Sequence, residues 1–287
     1  MEVILIDKFY GYCPGLKTSI ELANNLAKKA LSEKCMIYCD VPLAHNAEVT
    51  SRLHKRGVVL VENISTIQPY NDYFLVSAHG ASKKRQEELG ARGFKVVDGV
   101  CPRVKSVQDR AIKDMIDGYE IIIFGKPDHA EVVGINESIN NQALIIKKIE
   151  DAVDIKLSKK TSLISQTTYP EDKFDELFQI LKTNNPQIEI IQRKTTCPIV
   201  VSRVNKILEY IEDNAIDKVI VVGSPTSSNT KLIAAKVQKT TPARMIADAR
   251  SIRKEDIKGF TKVLVVSGTS APPEVVEKVA NKIKTMV

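Results

Sequence analysis

Three cysteines in a recurring sequence context are the residues of this chain best suited to chemistry. The pattern Cys-Pro-x-[Leu/Val]-x-[Ser/Thr] occurs three times and begins at Cys13, Cys101 and Cys197. The three are separated by 88 and 96 residues, which is about the length of one small domain. A repeat of this length predicts three related units that each contribute one thiolate to a shared centre. Three converging thiolates would form a metal or iron–sulfur site with an open fourth position, where substrate can bind.

Histidines at the ends of predicted strands form a second set of candidate residues. Parallel α/β units bind ligands at the carboxyl ends of their strands. His79 directly follows an apolar run, and His45 and His129 lie in loops after such runs. Histidine donates hydrogen bonds and can carry positive charge near neutral pH. Because three of the four histidines lie after predicted strands, the sequence favours a phosphate or diphosphate pocket at these strand ends. The alternative is that each one caps a helix or binds a loop carbonyl.

Hydroxyl and amide side chains follow other predicted strands. Ser227, Ser228 and Asn229 come after an apolar run and begin a helix-like segment, and Ser270 repeats the arrangement after the last run. Helix starts bind anions through their backbone N–H groups. An ordinary helix cap would explain one of the three consecutive polar residues but not all of them.

Glu131 differs from the other acidic residues of the chain because it lies close to His129. We expect it to sit in that loop rather than on a helix face, where it could deliver a proton through the hydroxyl of Thr167. The alternative is a surface carboxylate or a partner of a helix cap. Cys35 and Cys39 are interpreted as small buried hydrophobic residues. A zinc site there would need a second cysteine pair at finger spacing, which the sequence lacks.

Alternating strand-like and helix-like segments predict an α/β fold with parallel sheets that are covered on both faces. The predicted strands are 3–6, 73–76, 121–124, 162–164, 188–191, 219–222 and 263–266, and the predicted helices are 18–30, 104–116, 171–181, 200–211 and 273–283. With boundaries near Lys95 and Pro186, we expect three α/β units: 1–95 with Cys13, His45 and His79; 96–186 with Cys101, His129, Glu131 and Thr167; and 187–287 with Cys197, Ser227, Asn229, Ser270 and a C-terminal helix.

Composition narrows the classes of protein. No run approaches the ~20 apolar residues of a membrane span, and the first residues lack the features of a signal peptide. Five cysteines, an odd number, favour a reducing cytoplasm over a disulfide framework. The net charge of +7 is scattered along the chain. It therefore does not predict a nucleic-acid surface, although it could attract an anionic substrate or an acidic partner.

Together these motifs resemble the 4-hydroxy-3-methylbut-2-enyl diphosphate reductase family, which acts last in the non-mevalonate isoprenoid pathway. The resemblance runs the full length of the chain and rests on Gly11-Tyr12-Cys13, His45-Asn46, Ser77-Ala78-His79-Gly80, Cys101-Pro102, His129-Ala130-Glu131, Gln166-Thr167-Thr168, Cys197, Ser227-Ser228-Asn229 and Ser270-Ala271-Pro272. It implies a three-lobed α/β trefoil around a central iron–sulfur site. The implied reaction is a two-electron reductive dehydroxylation that yields isopentenyl diphosphate and dimethylallyl diphosphate.

The resemblance also implies residue roles. Cys13, Cys101 and Cys197 would hold a 4Fe–4S cluster by three irons and leave the fourth open to the substrate hydroxyl. The substrate-binding residues would be His45, His79, His129, Thr167, Ser227, Ser228, Asn229 and Ser270. Glu131, Thr167 and His129 would be catalytic, with Glu131 and Thr167 supplying a proton. The electron donor would be a ferredoxin- or flavodoxin-like protein, with no nucleic-acid or membrane partner.

The chain departs from the family pattern near the cysteines. The departures are Tyr12, Leu16 and Thr18 for Phe, Val and Arg; Gly99 and Val100 for Ala and Thr before Cys101; Ile199 and Val200 for Ala and Thr after Cys197; and Lys126 for His. None of them removes a predicted cluster ligand. They do make the wall of the predicted pocket drier near the reacting end of the substrate, which is where an enzyme distinguishes one substrate from another. Two alternatives therefore stay open. The chain could be a paralogue that reduces or dehydrates another small substrate, or a cluster-based sensor without catalytic activity.

Overall fold

The computed structural model of the chain describes residues 1–44 and 46–286, so the prediction for His45 lies outside the described residues. The described residues have an α/β fold, as predicted, with three four-stranded sheets in which all paired strands are parallel. None of their helices is long and apolar enough to span a membrane.

The strands and helices alternate along the chain. The strands are β1 (Glu2–Leu5), β2 (Ile37–Cys39), β3 (Val58–Leu60), β4 (Tyr73–Val76), β5 (Lys95–Asp98), β6 (Glu120–Phe124), β7 (Leu144–Ile146), β8 (Thr161–Ser165), β9 (Ile190–Gln192), β10 (Lys218–Val222), β11 (Ala243–Ile246) and β12 (Lys262–Ser267). The α-helices are α1 (Pro14–Glu33), α2 (Ala47–His54), α3 (Lys83–Ala91), α4 (Pro102–Ile116), α5 (Ala130–Ser138), α6 (Glu171–Asn184), α7 (Pro198–Asp213), α8 (Ser228–Val237) and α9 (Pro273–Thr285).

The three sheets share one strand order. The orders are β3-β2-β4-β5, β7-β6-β8-β9 and β11-β10-β12-β1. In the third sheet the edge place that β5 and β9 occupy in the other two is taken by β1, which pairs with β12 from Glu2↔Lys262 to Leu5↔Val265. β1 therefore forms the fourth strand of a sheet whose other three strands, β10, β11 and β12, come from the last hundred residues.

This strand pairing cuts across the predicted unit boundaries. A boundary at Lys95 would separate β5 from its partner β4, which it meets from Tyr73↔Lys95 to Val76↔Asp98. A boundary at Pro186 would separate β9 from β8, which pair from Thr161↔Ile190 onward. Each of these edge strands is separated from its partner by one helix, α3 or α6, so the local sequence pattern does not show which sheet the strand joins. Three repeat units remain a proposal, and the sheets favour boundaries just before each cysteine.

The chain divides into two compact units. One comprises Met1–Lys17, Ala44–Ser51 and Pro198–Val287 and contains the sheet with β1. In it Val263 and Val265 of β12 pack into one apolar cluster, whereas Leu264 and Val266 pack into another. Because successive side chains of a strand point to opposite faces, this sheet is buried on both faces, as the sequence predicted for a parallel sheet.

The other unit comprises Thr18–Leu43 and Arg52–Cys197 and contains the remaining two sheets. A buried carboxylate connects α4 with β8 and with the end of β9 in this unit. The fully buried Asp114 accepts hydrogen bonds of 2.9 and 2.7 Å from Arg193 and one of 2.7 Å from Ser162 Oγ. Burial alone would raise the pKa of Asp114, but the hydrogen bonds from Arg193 and Ser162 outweigh burial and hold this pKa below its usual value.

We expect Asp114→Asn to lower the free energy of unfolding by about 3 kcal/mol, because it leaves Arg193 without its counter-charge. Urea unfolding of the cluster-free protein measures this loss. Asp109→Asn is the matched control, since Asp109 is exposed on the same helix. Equal losses in the two variants would contradict a stabilising role for the buried pair.

Candidate active site

The three predicted cluster ligands occupy equivalent places in the three sheets. Pro14, Pro102 and Pro198, which follow the cysteines, are the first residues of α1, α4 and α7, and proline suits this first helical position. Each cysteine N–H donates to a carbonyl in the loop after a neighbouring strand: Cys13 to Thr269 after β12 (3.2 Å), Cys101 to Ala78 after β4 (3.1 Å) and Cys197 to Thr167 after β8 (2.7 Å). The sequence repeat therefore corresponds to a structural repeat.

The setting of these cysteines fits an iron–sulfur cluster. All three side chains are half-buried, and they precede helix N-termini, which favour anionic groups. Within residues 1–44 and 46–286 no three His, Cys, Asp or Glu side chains are grouped so that they could hold a single metal ion. The cysteines of a 4Fe–4S cluster bind different irons and need not meet at one point. Convergence of the three sulfur atoms stays a prediction.

Glu131 lies on a helix, so the prediction that it sits in a loop is wrong. Helix α5 begins at Ala130, and Glu131 is in its first turn. The helix is capped by His129, whose Nδ1 accepts a hydrogen bond from the Glu131 N–H at 3.2 Å. An imidazole takes the place of the Ser, Thr, Asp or Asn that usually signals a helix start. The sequence therefore carried no ordinary cap signal here.

Glu131 and Thr167 meet as the sequence predicted. The Thr167 N–H donates to Glu131 Oε1 at 2.6 Å, and Thr167 Oγ1 donates to Glu131 Oε2 at 2.9 Å. The carboxyl group is buried, with 2% of the residue exposed. Burial raises the pKa of Glu131 to about 7, although the two hydrogen bonds from Thr167 oppose this rise. An acid with a pKa near 7 can hold and release a proton at neutral pH.

Thr167 also connects this acid to a predicted cluster ligand. Its carbonyl accepts the 2.7 Å hydrogen bond from the Cys197 N–H, while its own N–H and hydroxyl contact Glu131. A single residue after β8 therefore fixes both the buried acid and the backbone of the third cysteine.

Two predicted histidines of the same unit are neighbours. The ring centroids of His79 and His129 are 5.6 Å apart, and the rings are inclined by 73°. His79 follows β4, and its Nδ1 lies 3.3 Å from Ser77 Oγ. Two adjacent imidazoles can donate several hydrogen bonds to one anion. Ser77, which the sequence reading did not single out, orients one of them.

The serine and asparagine residues predicted to bind the diphosphate gather in the unit that contains β1. Ser227 caps α8 by accepting from the Thr230 N–H at 3.3 Å, and Ser270 Oγ donates to Ser227 Oγ at 3.5 Å. Asn229 Nδ2 donates to Thr269 Oγ1, whereas the buried Asn229 Oδ1 has no hydrogen-bond partner among the described residues. A half-turn of this amide would let Oδ1 accept from the Thr269 hydroxyl and would leave the Nδ2 donor in the unpartnered position.

Close backbone packing shapes this cluster of hydroxyl groups. A Cβ atom added at Gly268 would lie 2.1 Å from Thr230 Oγ1, and one added at Gly223 would lie 2.4 Å from the same atom. The Thr230 hydroxyl is buried and has no hydrogen-bond partner within residues 1–44 and 46–286. Only glycine allows the loops after β10 and β12 to approach α8 this closely. Ser228, also predicted, is the first residue of α8 and is half-buried.

The raised pKa of Glu131 makes stability depend on pH. Between pH 4.5 and about 7 the folded chain keeps a proton that the unfolded chain has lost, so the free energy of unfolding falls as pH rises. Glutamine does not titrate. Glu131→Gln should therefore be more stable than wild type by up to about 3 kcal/mol near pH 8, with the difference shrinking toward pH 5. Urea unfolding of the cluster-free proteins measures this, and an unchanged pH slope would contradict the raised pKa.

The site combines a cysteine after the edge strand of each of three parallel sheets with a buried acid near one of these cysteines, an arrangement suited to an α/β enzyme that binds a metal cluster. The chain belongs to the LytB protein family, whose model matches residues 4–284.

Curated relatives span nearly the whole chain. A 4-hydroxy-3-methylbut-2-enyl diphosphate reductase of Thermoanaerobacter sp. (strain X514) is 31% identical and covers 98% of this chain and 96% of its own. A reductase of the same name from Wolbachia pipientis wMel is 29% identical and covers 99% of this chain and 92% of its own. The solved E-1-hydroxy-2-methyl-but-2-enyl-4-diphosphate reductase of Plasmodium falciparum matches with a TM-score of 0.86 and 26% identity, over 98% of this chain and 87% of that one.

Proposed function

We propose that this protein is a 4-hydroxy-3-methylbut-2-enyl diphosphate reductase. The reaction breaks the C–O bond of the substrate hydroxyl, takes up two electrons and two protons, and releases water with isopentenyl and dimethylallyl diphosphate. The full-length family match and the named relatives support this activity. The observation that carries it is Thr167, which contacts the buried acid Glu131 and also the backbone of Cys197.

In this proposal Cys13, Cys101 and Cys197 hold a 4Fe–4S cluster. Their helix-capping positions and their equivalent hydrogen bonds to loop carbonyls support the assignment. When bound, the cluster supplies electrons and an open iron that acts as a Lewis acid toward the substrate hydroxyl. The backbone hydrogen bonds of the three cysteines hold each ligand in place, as a well-defined metal site requires.

Glu131 and Thr167 supply the proton that leaves with the hydroxyl. With a pKa of about 7, the buried Glu131 is partly protonated near neutral pH. In the protonated form its O–H donates to Thr167 Oγ1, 2.9 Å away, in place of the hydrogen bond that the threonine hydroxyl donates to the ionised carboxylate. The threonine hydroxyl can donate one proton while it accepts another. Burial also excludes bulk water, so the proton is delivered to a chosen atom rather than exchanged with solvent. His129 caps the helix of Glu131 and so positions the acid.

The diphosphate is bound by two groups of side chains. His79 and His129 form one group, and Ser227, Asn229 and Ser270 form the other, with Ser228 at the same helix start. Charge-assisted hydrogen bonds to a diphosphate are strong enough to anchor a small apolar tail. His45 completes the proposed set on the strength of the sequence motif alone.

A ferredoxin- or flavodoxin-like protein delivers the electrons in this proposal, and the reaction takes place in the cytoplasm. The net charge of +7 supports an acidic donor, because opposite charges raise the rate of encounter.

The activity is tested with the anaerobically reconstituted protein, the hydroxymethylbutenyl diphosphate and a reduced viologen dye. We expect dye oxidation that depends on the substrate, with isopentenyl and dimethylallyl diphosphate as products. Protein without a cluster is the control and should not oxidise the dye. Tight binding without turnover would instead identify a cluster-based sensor, and no binding would identify a paralogue with another substrate; either result would refute the proposal.

A further inference from the structure

Arg203 is a buried arginine that the proposed mechanism does not use. It lies on α7, in the unit that contains β1, and 9% of the residue is exposed. Arginine is almost never this deeply buried unless it is paired. In the described chain the hydrogen-bond acceptors of Arg203 are two backbone carbonyls rather than a carboxylate: Gly11 O at 2.9 Å and Ser267 O at 3.5 Å.

These carbonyls belong to the two segments that hold Cys13. Gly11 precedes Cys13 by two residues, and Ser267 precedes Thr269, which accepts the Cys13 N–H, by two residues. The Gly11 N–H in turn donates to Ser267 Oγ at 2.9 Å. The guanidinium therefore binds both sides of the turn that carries the first cysteine, and the peptide unit at Gly11 is held at its N–H and at its C=O.

The contact with the Gly11 carbonyl also places the charge of Arg203 close to the turn that carries this cysteine. Burial lowers the pKa of the guanidinium, and the negative charge of Cys13 opposes the lowering. Guanidinium stays protonated in proteins in any case, so its burial places a permanent positive charge near Cys13. Within the part of the chain that the structure describes, Arg203 pairs with carbonyls and not with a carboxylate, so its positive charge is not neutralised. It can therefore stabilise a nearby anion. A thiolate-ligated cluster is such an anion, and it becomes more negative when it is reduced.

We propose that Arg203 is a positioning residue for the cluster site, which fixes the Cys13 turn and favours the reduced state of the bound cluster through its buried charge. The inference rests on the proposed function, because it needs the cluster. The two roles are separable. Lysine keeps the charge, but its ammonium nitrogen ends one bond short of Nη1, the atom that contacts both carbonyls, whereas glutamine loses the charge.

The test compares wild type with Arg203→Gln, Arg203→Lys and the control Arg250→Gln, since Arg250 is an exposed arginine of the same unit. The anaerobically reconstituted proteins are titrated with redox dyes and followed by electron paramagnetic resonance, and iron release to a chelator is timed. In Arg203→Gln we expect the one-electron reduction constant to fall about tenfold, a potential lower by about 59 mV. We also expect iron release to be about tenfold faster. Arg203→Lys should keep the potential near that of wild type but release iron faster.

Ser267→Ala provides a second route if Arg203 variants fold poorly. It removes the hydroxyl that binds the Gly11 N–H without changing charge, so it should speed iron release and leave the potential unchanged. The inference would be overturned if Arg203→Gln kept the wild-type potential and the wild-type rate of iron release, or if Arg250→Gln shifted both equally. Either result would leave the proposed function intact. A wild-type protein that binds no cluster would refute the proposed function, and the inference with it.

Discussion

Replacing Glu131 by glutamine should lower turnover by about a hundredfold or more, the loss expected when a positioned acid is removed. Glutamine has almost the same shape and can still accept the 2.6 Å hydrogen bond from the Thr167 N–H. We therefore expect cluster content and substrate binding to stay at wild-type values. In wild type, turnover should also fall above about pH 7, because the buried carboxyl then loses the proton that it must donate.

Glu137→Gln is the matched control for this experiment. Glu137 is a half-buried carboxylate on the same helix, α5, and pairs with Arg85 at 3.7 Å. Its replacement should leave turnover within about twofold of wild type, as for residues away from the reacting atoms. Near-normal turnover in Glu131→Gln, or loss of the cluster together with the activity, would remove Glu131 from the role of proton donor.

Replacing any one of Cys13, Cys101 and Cys197 by serine should remove most of the iron and nearly all activity. A hydroxyl is a much poorer ligand than a thiolate for iron in a cluster. Iron and sulfide are measured per chain after anaerobic reconstitution, together with the visible absorption of the cluster. The loss should be similar at all three positions, because the three cysteines have equivalent backbone hydrogen bonds.

The two remaining cysteines provide controls within the same chain. Cys35 is half-buried and Cys39 is buried at the end of β2, where burial raises the pKa of its thiol to about 12. Cys35→Ser should bind iron as wild type does, and Cys39→Ser should lose stability without losing iron. Full iron content in Cys101→Ser or Cys197→Ser would contradict the assignment of the ligands.

The sequence predicted the inner elements of the sheets better than their edges. The predicted strand 73–76 coincides with β4, since a continuous apolar run marks a strand buried on both faces. The edge strands β3, β7 and β11 were missed because they have three or four residues and are partly exposed. The pairing of β1 with β12 joins residues about 260 positions apart, which no local pattern reveals.

Candidate site residues could be predicted where they follow a strand or precede a helix. The sequence predicted that Glu131 could deliver a proton through the Thr167 hydroxyl, and the structure shows that the two side chains are in contact; the proton transfer itself stays a prediction. Arg203 was missed because an arginine in an amphipathic helix ordinarily points to solvent. Its burial depends on Gly11 and Ser267, which come from distant parts of the chain.

The pairing of β1 with β12 has a consequence for synthesis on the ribosome. Translation adds roughly 5 to 20 residues per second, so β1 waits roughly 13 to 50 seconds before Lys262–Ser267 is made. Throughout that time its apolar residues lack their native neighbour and are available to chaperones or to other nascent chains. The two sheets built from consecutive segments can form earlier, whereas the sheet that contains β1 can be completed only after Lys262–Ser267 has been made.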